Sequence, residues 1–217
     1  MAEPACGGSV QCCAIRVALL ELDGVPLPGA SNLYIADAVA KVEFQAQVVK
    51  GVDMESISAC GFPAILYKDM DRFKRYDVTL NLQYLDPELE NLLLGTELFN
   101  QGGLNIGGGS PYVAAYAGYF PGVSLELWSK HIVNGDQDPV YPYIQWVCPR
   151  VKFSLATPVT FENNPMVRMF SGFTSSNPNW YHGPEDDWPF ASDTQLAWRM
   201  CATIPTPECG AQPLVAT

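Results

Sequence analysis

Hydrophobic and polar residues alternate along much of this chain with a period of two, the repeat expected of strands with one buried face. Cys13, Ile15, Val17 and Leu19 alternate with Ala14, Arg16, Ala18 and Leu20, and Asp23-Gly24 ends the segment as a turn. From Lys41 to Val49 the alternation is cleaner. Lys41, Glu43, Gln45 and Gln47 fall on one face, and Val42, Phe44, Ala46 and Val48 on the other. A second clean segment sets Arg75, Asp77, Thr79, Asn81 and Gln83 against Val78, Leu80 and Leu82. Further strands are expected over Val123 to Val133, over Tyr141 to Ala156 with a bend near Pro149, and over Met166 to Phe173. GVPLPGASN reads as a loop, Gly51 to Gly61 as a polar connection, NGDQDP as a turn and SSNPNWYHGPEDDWP as turn-rich.

One segment breaks the pattern. In DPELENLLLG, Asp86 is an N-cap, Pro87 suits the first helical position, and Glu88 and Glu90 face the positive end of the dipole. Leu89, Leu92 and Leu93 form one apolar stripe, and Gly95 can take the left-handed conformation that ends a helix. Several strands and one short helix predict a single mainly-β domain over residues 1–217. Residues 1–11 read as an N-terminal arm, 95–122 as a long Gly-rich loop and 203–217 as an extension without periodicity.

Composition narrows the function classes. Acids outnumber bases 23 to 12, giving a formal charge of −11, so the clustered cations of a nucleic-acid footprint are missing. Charged residues are 16% and hydrophobic ones 48%, enough apolar material to fill a core. No apolar run reaches the roughly 18 residues of a membrane span. The start, MAEPACGGSVQCC, lacks the basic and apolar regions of a secretory signal, and no Asn-x-Ser/Thr sequon occurs, so a cytosolic chain is expected. Seven cysteines, at 6, 12, 13, 60, 148, 201 and 209, include no C-x-x-C pair. They read as reduced, packed thiols; the alternative is a metal cluster of Cys6, Cys12 and Cys209, which lacks a fourth ligand.

Catalytic patterns are missing. Gly102-Gly103 and Gly107-Gly108-Gly109 are followed by no Gly-Lys-Ser/Thr, so a phosphate loop gives way to a flexible one. His131 and His182 sit in no metal-ligand spacing. Asp136 with Asp138, and Glu185-Asp186-Asp187, do not fit an EF-hand and read as turn chemistry. No Gly-x-Ser-x-Gly elbow occurs. Neither an enzyme nor a cofactor is expected.

The run DVTLNLQYLDPELENLLLG and the later NPNWYHGPEDDWP are more specific. With CCAIRVALLELDG, a Pro-rich turn and Lys41 to Val49 in that order, they resemble the major tail tube proteins of long-tailed bacteriophages, particularly those infecting actinobacteria. The resemblance covers most of Cys12 to Phe190. It implies two packed antiparallel sheets, sandwich- or barrel-like, with one flanking helix. It implies hexameric rings of this chain stacked into a hollow virion tail, assembled in the host cytoplasm. The implied partners are further copies of the chain, a tape-measure protein, tail terminator and tail-tip proteins, and DNA in non-specific transit, with no membrane.

A lumen-lining sheet has one face on the core and one in water, so the two cleanest alternations are the candidates for it. The lumen residues are then Glu43, Gln45, Gln47, Asp77, Thr79, Asn81 and Gln83, mostly neutral amides and hydroxyls. An outward, solvent-facing sheet would give the same alternation. Two other readings stay open. A carbohydrate-binding β-sandwich would use Trp128, Trp146, Trp180, Trp188 and Trp198, but accounts for neither the missing signal nor the helix motif. A tube protein of a contractile secretion system would share the fold.

Overall fold

A computed structural model describes residues 8–37, 39–57, 60, 63–83, 86–109, 120–155, 167–180, 191–207 and 210–214. In chain order the elements are β1 (Gly8–Leu19), β2 (Gly29–Ala36), β3 (Val39–Val49), β4 (Asp53–Ile57), β5 (Pro63–Lys68), β6 (Arg72–Leu82), α1 (Pro87–Leu94), β7 (Leu98–Gln101) and β8 (Leu104–Gly108). They continue with β9 (Val123–Val133), β10 (Asp136–Gln137), β11 (Tyr143–Leu155), β12 (Arg168–Thr174), β13 (Ala197–Cys201) and β14 (Gln212–Leu214).

The alternating segments pair into one antiparallel sheet in the order β14-β2-β1-β9-β11-β12-β6-β3, with β10 beside β9 and β13 beside β11. The main core explains its shape. Ile15 and Val17 of β1 and Tyr34 and Ala36 of β2 share one buried cluster with Val78, Leu80 and Leu82 of β6, and Val42 and Phe44 of β3 pack against it. These strands lie towards opposite ends of the sheet, so the sheet curls until its ends face each other and β3 approaches β1. The molecule is therefore mainly β and sandwich-like, with two layers that are continuous in hydrogen bonding. The bend expected near Pro149 is a register shift in β11 between Cys148 and Val151. Asn177 braces it, donating through Nδ2 to Pro149 O at 3.1 Å and to Gly24 O at 2.7 Å. Gly24, at φ +102°, is required there, because a Cβ would lie 2.1 Å from Asn177 Oδ1.

Helix α1 follows its sequence signals. Asp86 Oδ1 accepts from the N–H of Glu88 at 2.8 Å and of Leu89 at 3.3 Å, and Gly95 ends the helix at φ 66°, ψ 34°. Leu89, Leu92, Leu93 and also Leu94 are buried in the main core. Glu90 is buried too, and accepts from Arg168 Nε at 2.6 Å.

Several segments differ from the sequence reading: β1 begins at Gly8 within the expected N-terminal arm, β2 begins at Gly29 within the GVPLPGASN loop, and β10 lies within the NGDQDP turn. The Gly-rich loop contains a hairpin, β7–β8, which turns at Gly102-Gly103 with φ +63° and +86°. The connection after Gly51 contains β4, paired with β5. The extension after Thr203 contains β14 on β2. The apolar face of β3 fails at its far end, where a register shift between Gln47 and Val48 leaves Val48 and Val49 more than half exposed. β2 and β13 carry no clean alternation, because β2 opens on Gly29 and Ser31 and β13 interleaves Trp198 with Arg199. Most of the N-terminal arm, Cys6, Cys209, His182, Glu185-Asp186-Asp187, Trp188 and the second half of NPNWYHGPEDDWP lie outside the described residues.

Candidate functional site

The residues singled out for the lumen meet on one surface. The register of β3 and β6 sets Lys41 opposite Asn81, Glu43 opposite Thr79, Gln45 opposite Asp77 and Gln47 opposite Arg75. Gln83 lies one residue past β6, exposed at its end. The shared face follows from the pleat: Val78, Leu80 and Leu82 point into the core, so their neighbours point away.

The surface continues across two further strands. β12 sets Phe173 beside Asp77, Ser171 beside Thr79 and Met169 beside Asn81. β11 sets Lys152 beside Phe173 and Ser154 beside Ser171. These five extend the site beyond the sequence reading. The alternation of Lys152 and Ser154 with Val151, Phe153 and Leu155 signals their face, but the order of strands is a long-range fact that periodicity does not carry.

The charges on this face are paired locally. Lys41 Nζ meets Glu43 Oε2, and Arg75 Nε meets Asp77 Oδ1 at 2.9 Å. The Arg75 guanidinium also lies 4.7 Å from the centroid of the Phe173 ring. On β3 and β6, Lys41 and Arg75 thus each have an acid two residues away on the same strand, whereas Lys152 on β11 has Arg150 and Ser154 at those positions. Asn81 Oδ1 is buried here with no donor.

Beside this face is an apolar arm. β3 and β6 run on into β4–β5, a two-stranded ribbon that belongs to neither layer of the main sheet. Every residue of β4 is exposed. Val48, Val49, Val52, Met54, Ile57, Tyr67, Met70 and Phe73 are all exposed large hydrophobics, and they lie together in the chain at the base and along this arm. Gly51 N donates to Asp71 Oδ1 at 3.0 Å and Asp69 N to Val52 O at 2.9 Å, closing the ribbon at its base. An isolated two-stranded ribbon is marginal in water, and an apolar patch of this kind marks a contact surface. A second apolar feature is an open crevice of about 670 Å³ lined by Leu19, Leu20, Leu22, Leu27, Phe120 and Pro121, with Glu21 and Asp23 beside them.

Several polar side chains elsewhere have structural partners. Asp138 Oδ1 accepts from Val140 N at 2.8 Å and Tyr141 N at 2.7 Å, and these bonds hold its carboxyl below the usual carboxylate range. Asp138 is therefore the turn residue its sequence suggests. His131 is buried, with Nδ1 2.9 Å from Tyr141 O. Trp128 and Trp180 are buried, Trp146 is half-buried against Trp198, and Trp198 is the one exposed Trp among the described residues. Among the described residues no group of three or more His, Cys, Asp and Glu is placed to hold a metal ion.

No protein-family model matches this chain, and a search of curated proteins finds no match to it.

Proposed function

We propose that this chain is a self-assembling structural subunit of a phage virion: it forms hexameric rings that stack into the hollow tail tube through which DNA passes. The observation that carries the reading is that β3, which pairs only with β6 among the described residues, runs out into an exposed apolar arm. A strand edge left open beside exposed Val48, Met54, Ile57 and Phe73 calls for a partner surface. The Asp-Pro-capped helix after an alternating strand, the feature that resembles tail tube proteins, adds direction to that reading. So does the polar face of β3 and β6, whose cations are matched by acids: a duplex sliding past would release few counterions. The work is that of a conduit and involves no bond making. Its partners are copies of itself, a tape-measure protein, and terminator and tip proteins at the tube ends. Its place is the virion.

Light scattering and negative-stain microscopy of the purified chain test this. Growth with concentration into rings or tubes is expected. A strictly monomeric chain at every concentration and salt would sink the proposal. A tube protein of a secretion machine would also form tubes, and peptides of this chain in purified, nuclease-treated virions separate the two.

A further inference from the structure

Glu88 stands half-buried in the first turn of α1, and its two carboxylate oxygens hold two distant parts of the chain. Oε1 accepts from Asn105 Nδ2 of β8 at 2.6 Å. Oε2 accepts from the Ala211 N–H, directly before β14. An ionised carboxylate has acceptor sites for both donors, and its charge makes each bond stronger than a neutral pair. Gly210 lets the chain pass this close. It sits at φ +92°, and a Cβ there would lie 3.1 Å from Glu88 Oε2.

The two elements differ in what else supports them. β14 also has its pairing with β2, buried Leu214, and Ala211 packed against the main core. Among the described residues β7 and β8 pair only with each other, and the element they pack on is α1. Phe99, Leu104 and Ile106 are all exposed, so the hairpin gains little from apolar burial. A two-stranded ribbon of that kind is marginal without outside support. Its base is closed by Gly109 N donating to Glu97 O at 2.7 Å, just beyond Gly95, the C-cap of α1.

We propose that β7–β8 is a hinged flap latched to α1 by Glu88, and that the shared carboxylate couples the position of the flap to the hold on β14. With Asn105 on Oε1, the carboxylate is turned so that Oε2 meets the Ala211 N–H. With Asn105 gone, the carboxylate turns freely towards water, and Ala211 loses a fixed acceptor. The coupling runs both ways, because a free energy that links two contacts acts equally on each. A partner that grips exposed Leu104 and Ile106 and draws the flap outward therefore loosens the C-terminal strand, although it touches no residue of it. The flap acts within one subunit, so it stands or falls separately from self-assembly.

Amide hydrogen exchange of the full chain, read by mass spectrometry, tests the latch. Asn105 also accepts from Asn100 Nδ2 at 3.3 Å within the hairpin, so the deciding readout is the remote segment 210–214. Asn105→Ala should speed exchange over 98–108 and, at least about threefold, over 210–214, while peptides of β1 and β9 keep their protection. Glu88→Ala should loosen both segments. In that background Asn105→Ala should add nothing at 210–214, because the path between the two contacts is gone. Glu88→Gln keeps one acceptor oxygen and should fall between the parent and Glu88→Ala. Unchanged exchange at 210–214 in Asn105→Ala overturns the coupling. An equal further rise in the Glu88→Ala background also overturns it, since the effect would then travel by another route. Loss of protection in β1 and β9 along with 210–214 would mean general unfolding, and would overturn the latch as a local device.

Discussion

Arg16 and Glu126 form an enclosed ion pair, with side chains 5% and 2% exposed. Both guanidinium contacts are made, Nε to Oε1 at 3.0 Å and Nη2 to Oε2 at 2.7 Å. Gln145 donates through Nε2 to the same carboxylate and accepts through Oε1 from Arg199 Nε at 2.8 Å, so the network spans β1, β9, β11 and β13. Removing one partner leaves a buried charge exposed to a poor solvent. Glu126→Ala should cost about 3–5 kcal/mol in urea unfolding, whereas pairing Arg16→Met with Glu126→Leu should recover much of it. A loss under about 1 kcal/mol for the single change would show that water reaches the site. The alternation places Arg16 on the face opposite Ile15 and Val17, and that much is legible in the sequence. That this second face is also buried is not legible, because its partner Glu126 lies on a strand far along the chain. The thiols give a pH-dependent consequence. Burial, with the neighbouring Cys13, pushes the Cys12 thiol up to about 11, and burial pushes Cys148 higher still. An unfolded thiol ionises near 9. Between about pH 9 and 11 the unfolded chain therefore holds fewer protons than the folded one, and stability should fall as pH rises through that window. Cys12→Ser should flatten part of the slope. At pH 8, exposed Cys60 should alkylate well before Cys12 or Cys148.

Helix α1 is the element most fully legible in the sequence, since its cap, stop signal and Leu stripe are local and lie within ten residues. Leu92 is 2% exposed in the main core, so Leu92→Asp places an unpaired charge there. A loss of several kcal/mol is expected from thermal or urea melts, and unchanged melting would show the stripe is not buried. Asp86→Ala should cost about 1 kcal/mol or somewhat more, because the same carboxylate also takes the Tyr34 hydroxyl. Strands β3 and β6 are likewise legible from a wetter and a drier face over much of their length, whereas β9 alternates in sequence but is buried on both faces from Val123 to Ser129. The hairpins are not legible. β4 is exposed on both faces and β8 ends in two adjacent glycines with Leu104 and Ile106 exposed, so neither shows the contrast that marks a half-buried strand. β14 is too short for any period and is held by pairing with β2. The surface formed by β3 and β6 was legible as two separate faces. Their union, and the addition of Lys152, Ser171 and Phe173, came from strand order.

At the scale of the molecule, the polar face and the apolar arm make separable predictions. Ile57→Asp with Met54→Ser should suppress assembly in light scattering while leaving the melting temperature within a few degrees, since both side chains are exposed in the single subunit. Gln45→Lys with Gln47→Lys adds two cations beside Glu43 and Asp77, acids already paired with Lys41 and Arg75. Tubes should still form, and genome release should slow, most at low salt where screening is weakest. Normal release from tubes shown to carry both lysines would move this face off the lumen. The curled sheet also has a history in time. β1 pairs with β9 from Gly8 opposite Ile132 to Leu19 opposite Val123, so the first strand made cannot close its main partnership until the middle of the chain exists. Such non-local pairing is slow, and refolding over about milliseconds to seconds is expected from the fluorescence of buried Trp128 and Trp180. On the ribosome the wait is longer still. Roughly 100 residues at about 5–20 per second is on the order of ten seconds, during which an apolar strand stands without its neighbour. Nascent chains stalled before Val123 should therefore be held by a chaperone, and those extended well past Leu155 released from it.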